Sequence, residues 1–171
     1  MASDAVAAAL SAAVTSGRTS DAITPVLARV EQALLNAPDD PQAWEPLPLE
    51  ALPFGVPAGI RSCWVFVLRA GARFGAERHP NSHQRTVALF GEAVFELLID
   101  GNWSQRTISA PHHGGTAATT VSIPPSVWHR ITVGRVNLVS MSFHTASSDQ
   151  LVEETPVGED LSVTKRRLYH A

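Results

Sequence analysis

The sequence of 171 residues predicts a mainly β domain, a sandwich or barrel, preceded by two α-helices. Three observations lead there. From Arg61 onward the chain is a series of short runs rich in β-branched and aromatic residues. Turn-forming residues separate these runs at regular intervals. Helical stretches do not alternate with them, as they would in a parallel α/β protein.

In chain order, residues 4–15 predict a first helix on alanine propensity alone. A second helix is predicted to start at Thr24, which can cap it, with Pro25 in its first turn and Leu27, Val30 and Leu34 at helical spacing. The apolar stripe of these helices must cover either the outside of the β domain or a second subunit. Residues 38–57 carry six of the chain's twelve prolines, which predicts an extended connector able to add an edge strand to a partner. Strands are predicted at 63–68, 73–79, 84–90, 93–99, 103–108, 119–123, 129–133 and 137–144. Asp100-Gly101-Asn102 is a strong hairpin signal between two of them. After Thr145 the chain turns polar and acidic, then basic at Lys165-Arg166-Arg167, and is expected to form a surface arm. The expected division is 1–59 for helices and connector, 60–145 for the barrel and 146–171 for the arm.

Composition narrows the function classes. With 44% hydrophobic and 17% charged residues, the chain is long enough for one core and short for two. A formal charge of −3 gives no electrostatic case for nucleic acid or an anionic membrane. Cys63 is the single cysteine and lies in an apolar run, so it reads as a buried structural thiol that cannot form an internal disulfide. The alanine-rich start carries Asp4 where a secretion signal would be basic, and Ser11 interrupts its apolar run, so it does not read as a signal. No stretch approaches the ~18–20 apolar residues of a membrane span. A cytoplasmic protein is expected.

The chemistry is concentrated in a spaced set, Gly71-x5-Glu77-x-His79-x4-Gln84-x6-Gly91, and in Pro124-Pro125-Ser126-Val127-Trp128-His129 further on. Alternate residues on a strand share a face, so Glu77 and His79 point the same way. Pro80-Asn81-Ser82-His83 reads as a turn that brings the chain back, which places Gln84 over the same point. His129 opens a later strand and is the ligand from across the sheet. Two imidazoles and one carboxylate with open positions is a set suited to non-haem Fe(II), and acceptable to Mn, Ni, Co or Zn. Gln84 would coordinate loosely or orient a bound water or substrate.

This pattern resembles the cupin family, whose first motif runs G-x5-H-x-H-x3or4-E-x6-G and whose second runs G-x5-P-x-G-x2-H-x3-N. The spacing of the first is reproduced from Gly71 to Gly91, with Glu77 at the first histidine position and Gln84 at the glutamate position. In the second, Pro124 and His129 match, Ala118 and Ser126 replace the glycines, and Val133 replaces the asparagine. The resemblance spans roughly residues 60–145. It implies a double-stranded β-helix, a jelly-roll barrel with its site in the mouth, and a homodimer. The usual cupin set of three His and one Glu carries one negative charge, and so does Glu77, His79, His129 and Gln84: the carboxylate has changed place.

Other histidines, arginines and aromatics lie around the proposed set. His83 is read as a loop residue beside it, His112 and His113 as solvated, His144 as able to face either side of its sheet, and His170 as uninformative. Arg73, four residues before Glu77, would share its face on an unbroken strand and anchor a substrate carboxylate; Arg69 and Arg85 are weaker candidates. Trp64, Phe66 and Phe95 read as core or barrel wall, and Trp128 as wall or rim. Two function classes stay open. One is a metal-dependent enzyme acting on a small organic acid, foremost an Fe(II) dioxygenase, with isomerase, decarboxylase or lyase chemistry if the metal is redox-inert. The other is a non-catalytic barrel that binds a small ligand.

Overall fold

A computed structural model describes residues 4–15, 18–111, 118–158 and 160–169. His112, His113 and His170 lie outside the described residues. Helix α1 (Ala5–Val14) is capped by Asp4, whose carboxylate accepts from the Val6 and Ala7 amides. Helix α2 (Arg18–Asn36) starts well before Thr24 and carries Pro25 inside it. The earlier turn holds because Thr19 donates to the Ala13 carbonyl at 2.9 Å and Ile23 is buried against the sheet, so tertiary contact overrides the local start signal.

Strands β1 (Gln42–Pro46), β2 (Ser62–Leu68), β8 (Leu138–His144), β3 (Gln84–Phe90) and β6 (Thr120–Ile123) form an antiparallel sheet in that order. Strands β5 (Asn102–Ser109), β4 (Glu92–Ile99) and β7 (His129–Val133) form a second sheet, and β9 (Val152–Val157) with β10 (Asp160–Leu168) a third. Asp100 and Gly101 both have positive φ, 48° and 78°, so the β4–β5 connection is the two-residue hairpin that the sequence announces. Gly91, at φ 75°, turns β3 into β4 where any Cβ would press against the Asn137 carbonyl.

The five-stranded and three-stranded sheets enclose Trp64, Phe66, Leu68, Ala88, Phe95 and Ile108. On the outer face of the larger sheet, Cys63, Val65, Val67, Met141 and Phe143 pack against Leu10, Val26, Val30 and Leu34 of the helices. The apolar stripe of the helices thus covers this chain's own barrel. β1 likewise pairs within the chain and forms the sheet's edge. No helix among the described residues is long and apolar enough to cross a membrane.

Two sequence expectations need correction. Residues 73–79 form no continuous strand; they meet β7 and β9 through isolated bridges. Nor is the segment after Thr145 a loose surface arm. Hairpin β9–β10 lies across the barrel, with Leu151, Val152, Glu153 and Glu154 buried. The pairing of Glu153 and Glu154 with Arg167 and Arg166 in its register explains why so polar a segment is ordered.

Candidate metal centre

Backbone pairing sets the first two candidate ligands opposite each other. Glu77 and His129 exchange both amide-to-carbonyl hydrogen bonds, each 2.9 Å, and Glu77 Oε1 then lies 3.3 Å from His129 Nε2. His79, two residues on, projects the same way. One ligand atom from each of Glu77, His79 and His129 lies within 4.8 Å of the others, a spacing that can hold a metal ion.

The imidazoles are oriented for that task. His79 Nδ1 is 2.9 Å from the Val152 carbonyl and His129 Nδ1 is 3.3 Å from the Val127 carbonyl. A carbonyl only accepts, so each Nδ1 carries a proton, and Nε2 is left as the ring nitrogen able to serve as a ligand. His129 is fully buried, and its Nε2 has no hydrogen-bond partner among the described residues. Gln84 Oε1 is also buried without one, while its amide donates to Thr86 Oγ1 at 3.1 Å. Buried polar atoms left unpaired are costly, and a cation among them would relieve that cost. The donor set therefore fits a divalent ion. Burial pushes the His79 pKa down, helped by the neighbouring His129, which keeps the ring a free base. Burial alone would raise the Glu77 carboxyl, but His129 beside it outweighs that and holds it below the usual range.

These residues line a cavity of about 280 Å3 together with Phe66, Phe74, Phe95 and Tyr169. Apolar and aromatic walls with a few convergent polar groups are the usual make-up of a small-molecule site. His144 joins them. It pairs with Gln84 across β3 and β8, stacks edge-on against His79 with ring centroids 5.1 Å apart, and is pushed far towards the neutral form by burial. His83 does not join. Its ring turns to the helix side, 2.8 Å from Ser122 Oγ and 3.9 Å from Asp4. Arg85 is on that side as well, and Arg69 caps the end of α2 through the Leu34, Ala37 and Asp40 carbonyls.

Arg73 does not reach the cavity; it is exposed and absent from its lining. Between the bridges Arg73–Thr132 and Glu77–His129 the chain advances four residues while β7 advances three. One extra residue is therefore accommodated, which reverses the facing of everything before it. Phe74 faces the cavity in place of Arg73. Trp128 is buried outside the cavity, under the Arg78 guanidinium at 4.6 Å.

The sequence reading missed the cavity's cover. Glu153 on β9 and Arg167 on β10 are register partners and share one face, Tyr169 follows two residues later, and all three line the cavity. Burial raises the Glu153 pKa, and the nearby Glu77 adds to that, against the opposing pull of Arg167. The available signal was the symmetry of Glu153-Glu154 and Arg166-Arg167 about position 160, charges placed to pair across a hairpin. Ser126, at a glycine position of the second motif, has φ 65°, the left-handed backbone for which glycine is the usual choice.

No family model matches the chain, and no curated protein does. Among solved structures, pumpkin seed globulin superposes with TM-score 0.52 at 15% identity, over 68% of this chain and 28% of that one. Procruciferin, the 11S globulin of Brassica napus, gives the same values. An oxalate oxidase in complex with the substrate analogue glycolate gives TM-score 0.48 at 16% identity, over 63% of this chain and 52% of that one. The chain thus spans about half of the oxidase and little over a quarter of each globulin. Identities this low speak to architecture alone, and with the sheet order and the motif spacing they establish it: the chain has the cupin fold, a jelly-roll barrel with two N-terminal helices.

Proposed function

We propose that the protein is a metal-dependent enzyme acting on a small organic acid, with Fe(II) the favoured ion and dioxygenation the favoured reaction. The observation that carries the reading is the convergence of Glu77, His79 and His129, two of them buried, on one wall of the cavity. Iron(II) held by two imidazoles and a carboxylate would offer neighbouring open positions to a substrate oxygen and to O2. Mn, Ni, Co or Zn would fit the same donors and supply Lewis-acid chemistry instead.

The chain's own residues then do the rest. Val152 and Val127 fix the tautomers of His79 and His129. Gln84 and His144 present polar groups beside the ligands, and Phe66, Phe74 and Phe95 exclude water around a bound substrate. The test is metal content of untagged protein after anaerobic loading with Fe(II), followed by O2 consumption with a panel of short carboxylic acids. About one iron per chain is expected in the wild type and less than about a tenth of that in His129→Ala, since a structural ligand is not replaceable by a methyl group. A chain that takes up none of the five metals sinks the proposal. Stoichiometric metal without O2 uptake would move it to isomerase, decarboxylase or lyase chemistry.

A further inference from the structure

The cavity does not end at its cover. A groove of about 680 Å3 adjoins it and shares Phe74, Gly75, Glu77, Arg130, Glu153 and Arg167 with it. Shared walls make the groove the way in. Its other side is built by Trp103, Pro156 and Leu161, so the passage is largely apolar on that side and carries charged side chains of both signs, Glu77 and Glu153 beside Arg130 and Arg167, where it meets the cavity.

Two guanidinium groups stand at that junction, and their surroundings differ. Arg130 is committed: it donates to both Glu96 oxygens, at 2.7 and 3.2 Å, and lies 4.4 Å over the Trp103 ring. Arg167 spends only Nε and one Nη2 hydrogen on a single oxygen, Oε1 of Glu153, at 2.9 and 2.8 Å. Its Nη1 makes no hydrogen bond among the described residues. Glu153 is 3% exposed, so Arg167 is tethered by a fixed acid rather than by a mobile one. The tether leaves the outer edge of the guanidinium, Nη1 and the second Nη2 hydrogen, as a two-point donor for a planar anion, on a side chain that is 63% exposed and lines both cavity and passage.

Resting on the reading of the substrate as a small organic acid, we propose that Arg167, held by Glu153, is the carboxylate-binding residue, and that the groove beside it receives an apolar tail. The substrate class is then a monocarboxylate with a hydrophobic substituent, its acid group at the junction and its body along Trp103 and Leu161. Arg167 serves as a specificity-determining residue in the place that Arg73 was expected to fill.

The experiment measures binding of 3-phenylpropionate and of its uncharged amide to the full chain by calorimetry, with and without zinc. In metal-free wild type the acid is expected to bind roughly tenfold or more tighter than the amide, the scale of hydrogen bonds to a charged group. Arg167→Gln should erase that preference without changing zinc stoichiometry, Arg167→Lys should keep part of it, and Arg130→Gln should keep it. A wild type without acid preference, or an Arg167→Gln protein that retains it, overturns the proposal. A preference seen only with zinc and surviving Arg167→Gln removes the anchor and leaves the metal centre standing. A preference lost in Arg167→Gln in a chain that binds no zinc keeps the anchor and removes the enzyme.

Discussion

The two faces of the five-stranded sheet are made by alternate residues of the same strands, yet they follow opposite rules. Towards the helices stand Cys63, Val65, Val67, Val87, Val139, Met141 and Phe143, an apolar surface whose one deep charge, Arg85, is met by Asp4. Towards the cavity stand Gln84, Thr86, Ser140, Ser142 and His144 beside Phe66 and Leu138. On the first face every side chain finds its complement. On the second, Gln84 Oε1 and, across the cavity, His129 Nε2 are buried without a hydrogen-bond partner among the described residues. Locally consistent packing marks the part of a fold that supplies stability, and unsatisfied groups mark the part that stability is diverted from.

The largest test of that contrast is a truncation on the helix side. Phe143 is fully buried in the cluster between sheet and helices. Phe143→Ala should cost about 3–5 kcal/mol in urea unfolding of the metal-free chain, the range for a large aromatic removed from a packed core. Metal bound per folded molecule should not change. A loss below about 1 kcal/mol would mean that the helices rest on the sheet without packing into it.

A smaller effect is expected at the charged pair on the same face. The Asp4 carboxylate caps α1, accepts from Arg85 Nε at 2.8 Å and accepts from Ser122. Burial alone would raise its pKa, but these donors outweigh burial and hold it well below its ordinary value of 3.8. Asp4→Ala should cost about 1–2 kcal/mol near neutral pH, part cap and part an unmatched Arg85. Because the folded-state pKa is depressed, this contribution is complete above 3.8 and is lost as pH falls through the lower folded value. The gap between wild type and Asp4→Ala should therefore close in acid. A gap that stays constant from neutral pH to below 3.8 would show that the carboxylate is not what matters at this position.

The same contrast explains what could be read from the sequence. Strands β2 to β8 were legible because runs of β-branched and aromatic residues are set off by turn residues, and the grouping of Glu77, His79 and His129 followed from strand alternation plus spacing. Arg73 was misplaced because a single extra residue before Glu77 is silent in composition and flips the face. The start of α2 was misplaced because Thr24-Pro25 is a sound local signal that the packing of Thr19 and Ile23 overrides. Hairpin β9–β10 escaped because its order comes from cross-strand charge pairs and from the barrel beneath, neither of which produces a hydrophobic period.

The finest test is on the cavity side, where removal of a polar group should do no harm to folding. Gln84 is buried, its amide nitrogen bonded to Thr86 and its oxygen to nothing among the described residues. Gln84→Leu keeps nearly the same volume and removes the unpaired acceptor, at the loss of one hydrogen bond to Thr86. Those opposing amounts are each of order 1 kcal/mol, so the metal-free variant should be as stable as wild type or more so by up to about 1 kcal/mol. Metal affinity should fall, by roughly tenfold if the amide oxygen orients a bound water and by more if it coordinates directly. A variant destabilised by more than about 1 kcal/mol with unchanged affinity would place Gln84 among the structural residues, and the two faces of the sheet would then differ in polarity but not in purpose.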